Sequence, residues 1–183
     1  MKINFIILFV LALAAFGFMR CHQYQFEKSS RLKFDVMKFE LPGSKENLNK
    51  LILEWSSPES KEFVLDQLRL DYLFMTTLFP AILMLCLLVR RRLQESLFKY
   101  RDIPKYQILN SLLLGLAFLQ LVAWLFDITE NIRLTSWINQ GEAGDMFLFE
   151  TLVWLKFLFA VLGFLGPIGI YIWLKSTRKG KLR

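Results

Sequence analysis

"LDYLFMTTLFPAILMLCLLV", residues 70–89, decides the fold. It runs for 20 residues with one charge, Asp71, near its start. A helix that rises about 1.5 Å per residue needs about 20 apolar residues to cross the hydrocarbon of a bilayer. The stretch meets that length and ends against three arginines, Arg90, Arg91 and Arg92.

Three further apolar runs flank it. Ile108–Phe126 fits a span directly. Ile3–Met19, at 17 residues, is at the short limit. Met146–Leu174 is long at 29 residues and contains Glu150 and Lys156, so its first turns extend beyond the hydrocarbon or the helix tilts. Composition agrees: 55% of the residues are hydrophobic and mean hydropathy is +0.39, against about 45–50% apolar residues in soluble domains. A soluble fold of 183 residues would struggle to hide 18 phenylalanines. The predicted class is an all-α membrane protein, a single integral domain over 1–183. Four transmembrane helices (about 3–19, 70–89, 108–126 and 148–174) form a bundle, and residues 20–69 form an extracytoplasmic helical segment between spans one and two. The first run resembles a signal peptide only weakly. Its positive region is Lys2 alone beside the amino terminus, and its apolar part is longer than the usual h-region, so it reads as a retained anchor.

Net charge is +7, and its distribution argues against nucleic acid. From Arg90 to Lys105 there are six basic residues and two acids, and from Lys175 to Arg183 five basic residues and no acid. The 128–145 stretch, read as a loop, has one basic residue, Arg133, and three acids. This is the positive-inside pattern. It places the 90–105 loop and both termini in the cytoplasm of a bacterial inner membrane, and 20–69 and 128–145 outside. The basic flanks then meet anionic membrane lipid. Cys21 and Cys86 fall on opposite sides, too far apart for a disulfide, and neither has metal-ligand spacing.

Local signals subdivide the outer segment. Partial alternation in "YQFEKSSRLKFDVMKFEL" gives a weak strand or extended signal, broken by "LPGS". Leu48, Leu51, Ile52 and Trp55 then follow helical spacing, with Ser44 as N-cap, and their apolar face rests on the membrane surface or roofs the bundle. Ser57 caps the next helix, Pro58 opens it, and no breaker follows until Pro80, so that helix continues into the second span. Pro104 starts the third, with Asp102 supporting its N-terminus. Gly163, Gly166 and Gly169 allow close helix approach in the fourth, and Pro167 should bend it.

The threading assigns each polar group a depth. Asp71, Asp127, Glu130 and Asn131 fall at the outer mouths of their helices, and Lys156 lies ten residues into the fourth helix, about 15 Å along its axis. Asp127, Glu130 and Asn131 share one helix face, which Gln120 and Trp124 continue downward. Hydrocarbon penalises such a stripe by about 2.5–3.5 kcal/mol for a central Asp or Lys. Turned inward, Lys156 would face Asp127 or Asp71. Against this stand a helix-end position in wet head groups for Asp71, Asp127 and Glu130, and snorkelling for Lys156. His22, the single histidine, reads as an interfacial loop residue, Trp55 as a roof or interface anchor, and Glu150 as solvent-exposed.

The motifs "KFEL" (38–41), "LILEW" (51–55), "LRLDYLFM" (68–75), "DITEN" (127–131) and "LKF" (155–157) occur in this order. In this the chain resembles an uncharacterised family of small bacterial four-span membrane proteins. The resemblance covers most of the chain from residue 38 and marks Glu40, Trp55, Asp71, Asp127, Glu130, Asn131 and Lys156. It implies that Glu40 folds back toward the polar cluster, and it implies no activity. Where the family often has "FMPAY" this chain has "FMTTL", so the bend in the second helix would move to Pro80.

No Gly-rich phosphate loop, Ser/His/Asp arrangement or Cys/His cluster occurs, so no catalytic residue, metal site or cofactor is assigned. Three functional readings follow. The first is a non-enzymatic scaffold, accessory or lipid-interacting protein, with membrane lipids, a membrane-protein partner or a second copy as its company. Glu40, Asp71, Asp127, Glu130, Asn131 and Lys156 are then a packing lock, supported by Trp55 and Gln120. The second is an enzyme or binder of a lipid head group at the outer leaflet, with Asp71, Asp127 and Glu130 as acid, base or Mg²⁺ ligands and Lys156 holding an anionic group. The third, a small transporter, lacks inverted-repeat symmetry.

Overall fold

The computed structural model describes residues 1–97 and 104–179. Six helices follow in order: α1 (Lys2–Ser30), α2 (Val36–Glu40), α3 (Lys45–Glu54), α4 (Pro58–Leu97), α5 (Pro104–Gln140) and α6 (Met146–Lys179). No strand forms among the described residues. Helices α1, α4, α5 and α6 are each long and apolar enough to cross a membrane, which makes this a multi-pass membrane protein with an all-α bundle. Asp102 and the basic residues Lys99, Arg101, Lys181 and Arg183 lie outside the described residues.

Helices α4, α5 and α6 pack on one another, and α1 leans on α4 alone among extensive contacts. Ala12 and Ala15 are the buried residues of α1, small enough to bring its backbone close to α4. Many of its apolar side chains, among them Ile3, Ile6, Val10, Leu13 and Phe18, face outward, as the bilayer allows.

Every long helix outruns its apolar stretch. The anchor continues as helix to Ser30, where Arg31 takes a left-handed conformation (φ 62°) and closes it. This overturns the strand expectation. The Phe34 N–H donates to the Glu27 carboxylate (2.9 Å) and its carbonyl accepts from the Gln23 amide (2.7 Å). Both main-chain groups that a strand partner would need are taken by α1 side chains. Residues 32–34 are therefore an extended tether along α1, and Asp35 caps the short α2 by accepting from the Met37 N–H (3.1 Å).

The 128–145 stretch is likewise mostly helix, not loop. Leu134, Trp137 and Ile138 continue the buried face of α5 at helical spacing, so the helix pays for its extra turns with packing beyond the hydrocarbon. Arg133 thus sits within α5 rather than in a loop. The caps at Ser44 and Ser57 form as expected: Ser44 Oγ accepts from the Asn47 N–H (3.1 Å), and Ser57 Oγ from the Ser60 N–H (3.3 Å). Pro80 and Pro167 lie inside continuous helices.

Helices α2 and α3 form a cap over one end of the bundle. Leu48, Ile52 and Trp55 point into it and are buried. Phe63 of α4 is the centre of its aromatic packing. Phe26 stacks on that ring with centroids 4.0 Å apart, and Phe34 meets it edge-on at 5.3 Å. His22 also stacks on Phe63 (5.2 Å) and contacts the Gln67 amide through Nδ1 (3.0 Å). His22 is therefore a packed residue of α1, not a loop residue. Polar ties fix the far rim. The Ala143 N–H donates to Asn49 Oδ1 (2.7 Å), and the Gly43 N–H donates to Glu150 Oε1 (2.8 Å). Glu150 is thus engaged by the cap rather than simply solvated. Gly43 has φ +75°, a conformation that a side chain would strain, and this turn presents its N–H to α6.

Candidate functional site

Four elements deliver six polar side chains to one place beneath the cap. The short α2 brings Glu40, α4 brings Asp71, α5 brings Asp127, Glu130 and Asn131 from one face, and α6 brings Lys156. The Lys156 ammonium lies 3.0 Å from Asp127 Oδ1, 2.5 Å from Glu130 Oε2 and 3.5 Å from Glu40 Oε2. The contact with Glu130 is at ion-pair distance but off the hydrogen-bonding direction, as that oxygen has no hydrogen-bond partner. Asp71 does not touch Lys156 within that range. It joins the group through Asn131, whose amide donates to Asp71 Oδ2 (2.8 Å).

Exposure decides between the inward and head-group readings of these residues. Asp127 and Glu130 are 0% exposed, Lys156 and Asn131 1%, Glu40 5% and Asp71 7%. Even Glu130, near the end of the apolar stretch, is fully covered, because α5 continues for ten residues beyond it under the cap. Lys156 does not snorkel. Buried charges are tolerated when paired, and here the pairing crosses three elements.

Burial pushes the Glu40 carboxyl above its ordinary range; the Lys156 ammonium pulls it back down and the Asp71 charge adds to the rise. A carboxyl raised in this way favours the folded state below its unfolded value. That contribution is lost as pH rises through the raised value.

Acceptors outnumber donors in the site. One ammonium faces three of the four carboxyl groups, and Asp127 Oδ2 and Glu130 Oε1 are buried with no hydrogen-bond partner. The Arg133 Nη1 is also buried without one. The sequence offered no signal for it beyond its position three residues after Glu130. Among the described residues, no group of three His, Cys, Asp or Glu side chains is arranged to hold a metal ion. Cys21 and Cys86 are both free; Cys86 donates to the Gly163 carbonyl (3.4 Å).

Gln120 stands apart from the cluster. It lies seven residues below Asp127, about 10 Å along α5. Its amide crosses to the Phe159 carbonyl of α6 (2.8 Å) and also reaches the Leu116 carbonyl (3.3 Å). Gly163 makes that crossing possible, since a Cβ there would collide with the Gln120 side chain. Gly166 faces Leu116 of α5 in the same way, whereas Gly169 meets nothing. Gly163→Ala is therefore expected to displace the Gln120 amide from its hydrogen bonds and to destabilise the bundle by about 1–3 kcal/mol, measured by unfolding in detergent. Gly169→Ala, a control on the same helix, should leave stability unchanged. Equal effects from the two would show that the α5–α6 approach does not depend on residue 163.

Compared with protein families, curated proteins and solved structures, the chain matches none of them.

Proposed function

We propose that this is a non-enzymatic scaffold or accessory protein of the bacterial cytoplasmic membrane, with both termini in the cytoplasm. The polar cluster would then be a lock that holds the extracytoplasmic cap on the bundle. One observation carries this reading. The ammonium of Lys156 has three donors, and three carboxyl groups of the chain lie within ion-pair distance of it. Its charge is therefore matched within the chain, and its side chain is buried away from the surface. The orientation rests on the excess of basic over acidic residues at the end opposite the cap, where, among the described residues, Lys2, Arg90, Arg91, Arg92, Lys105 and Lys175 stand against Glu95. Membrane lipids, a membrane-protein partner or a second copy would be its company in the bilayer.

A second reading has its own support. The unpartnered Asp127 Oδ2 and Glu130 Oε1 are acceptors that a lipid head group or a cation could satisfy. In that case Asp71, Asp127, Glu130 and Lys156 would act on a ligand.

The neutral variant Lys156→Met/Asp127→Asn/Glu130→Gln separates the two readings. Replacing a buried charged group as a set is often neutral for stability. A lock predicts that the bundle folds, that the cap loosens because Glu40 has lost its cation, and that the variant carries the same bound masses in native mass spectrometry of the detergent-purified protein. A head-group site predicts a retained lipid or ion that disappears in the variant, and that result would overturn the proposal.

A further inference from the structure

At the end opposite the cap, α1 and α6 both rest on α4 without packing extensively on each other. They leave a crevice floored by α4. Its outer part is a cavity of about 700 Å³ bounded by Lys2 and Ile3 of α1 and Leu88, Arg91, Arg92 and Glu95 of α4. A second cavity of about 280 Å³ continues between the helices and shares Lys2, Leu88 and Arg92 with the first. Phe5, Ile6, Leu85, Val89 and Ile168 make its walls almost wholly apolar. The cluster beneath the cap lies far away: Asp71 and Arg92 are 21 residues apart on one helix, about 30 Å.

We propose that this crevice is a binding site for one anionic glycerophospholipid of the leaflet at the basic end. It would hold the phosphate at its mouth and an acyl chain between α1 and α6.

The chemistry of the two cavities is divided as such a lipid is divided. Among the described residues that line the mouth, Lys2, Arg91 and Arg92 stand against one carboxyl group, Glu95, which pairs with Arg91 (3.2 Å) in an exposed contact of little strength. Arg92 is oriented by Tyr171 of α6. Its Nη1 donates to the Tyr171 hydroxyl (3.1 Å), and its guanidinium carbon lies 5.1 Å from the ring centroid. A guanidinium held in this way brings to the mouth a fixed positive charge of the kind that suits phosphate oxygens. The apolar part begins directly below it. A water-filled groove lined by Phe5, Ile6 and Leu85 at membrane depth would leave these side chains wetted, whereas an acyl chain covers them. A free anion would use the mouth and leave the apolar part empty, and a zwitterionic lipid would fill the apolar part but gain less from three cations. An anionic diacyl lipid uses both.

Native mass spectrometry of the full chain in detergent tests this, with phosphatidylglycerol and phosphatidylcholine of matched chains added in equal amounts. The wild type is expected to retain one phosphatidylglycerol in preference to phosphatidylcholine. Lys2→Gln and Arg92→Gln change exposed residues, so folding should survive. Each should lower phosphatidylglycerol retention by about five-fold and the pair more, given the strength of single basic residues near an anionic surface. Leu88→Trp fills the crevice and should reduce retention of both lipids. The neutral cap-end variant at residues 127, 130 and 156 should retain phosphatidylglycerol as the wild type does. Equal retention of the two lipids, or loss-free Arg92→Gln and Leu88→Trp variants, would overturn the proposal. Displacement of the lipid by millimolar inorganic phosphate would also overturn it, as it would show an anion site without a chain-binding crevice.

Discussion

Lys156→Met alone is expected to destabilise the protein by about 3–5 kcal/mol, the usual penalty for removing one partner of a buried ion pair. The magnitude follows from what remains. The methionine fills much of the space, so packing is nearly conserved, but Asp127, Glu130 and Glu40 lose the single cation within ion-pair distance. Asp127 Oδ2 and Glu130 Oε1 already lack hydrogen-bond partners, so no donor in its present position reaches them to compensate. Unfolding of the single variant in detergent, compared with the neutral variant at residues 127, 130 and 156, measures the effect. The single variant should be much the weaker of the two, because it leaves carboxyl groups uncompensated whereas the neutral variant removes two of them along with the ammonium. If the two variants unfold alike, the cluster does not hold the fold by pairing. A Lys156→Arg variant gives a further check: it keeps the charge but needs room for a planar fork at a position that is only 1% exposed, and should fall between the two.

Most of this site was legible because bilayer physics restricts what a polar residue can do. The four apolar runs gave the number of long helices, and their alternation along the chain set which helix ends lie together. Once Asp127, Glu130 and Asn131 shared a helix face, only inward packing would spare them the hydrocarbon. The identity of the ion partner was less legible. Asp127 and Asp71 were both candidates for Lys156, and the difference lies in helix rotation, which hydropathy does not encode. Asp71 points to Asn131 instead. The full burial of Glu130 was less legible, because the apolar stretch ends at Phe126, four residues before it. The buried face formed by Leu134, Trp137 and Ile138 carries the helix onward and covers it.

The tether at 31–35 shows a different limit. Alternation of Leu32, Phe34 and Val36 with Lys33 and Asp35 resembles a strand, because a period of two reports only that alternate side chains are buried. It does not say what receives the main-chain hydrogen bonds. Here the Glu27 carboxylate accepts from the Phe34 N–H and the Gln23 amide donates to its carbonyl, and neither is readable as a strand partner from sequence. The crevice at the basic end was invisible for a similar reason. The arginines after residue 89 read as an orientation signal, and only the separation of α1 from α6 reveals an apolar channel beside them.

Trp55→Ala is expected to cost about 3–5 kcal/mol, the range for truncating a large buried aromatic, but to release the cap rather than melt the bundle. Trp55 is 4% exposed and has Phe26, Phe34, Phe39 and Phe63 around it, with centroids 5.5 to 6.3 Å away. These rings come from α1, the tether, α2 and α4, so the indole is where the cap is joined to both flanking helices. The bundle below has its own contacts, such as the Met75, Phe79 and Ala123 cluster and the Leu93, Leu113 and Leu174 cluster, and none of these includes a cap residue. Hydrogen exchange should therefore quicken across residues 32–55 while the centres of α4, α5 and α6 stay protected. Trypsin should cut at Lys38, Lys45 or Lys50 in the variant sooner than in the wild type. Glu40 gives the opening a pH dependence. Its raised carboxyl loses stabilising effect as pH rises through that value, so cap release should increase from acid toward alkaline conditions. Uniform loss of protection in cap and bundle would mean that they unfold as one unit. In that case the cap is a structural part of the helix bundle, and a lock that holds it closed has no separate state to act upon.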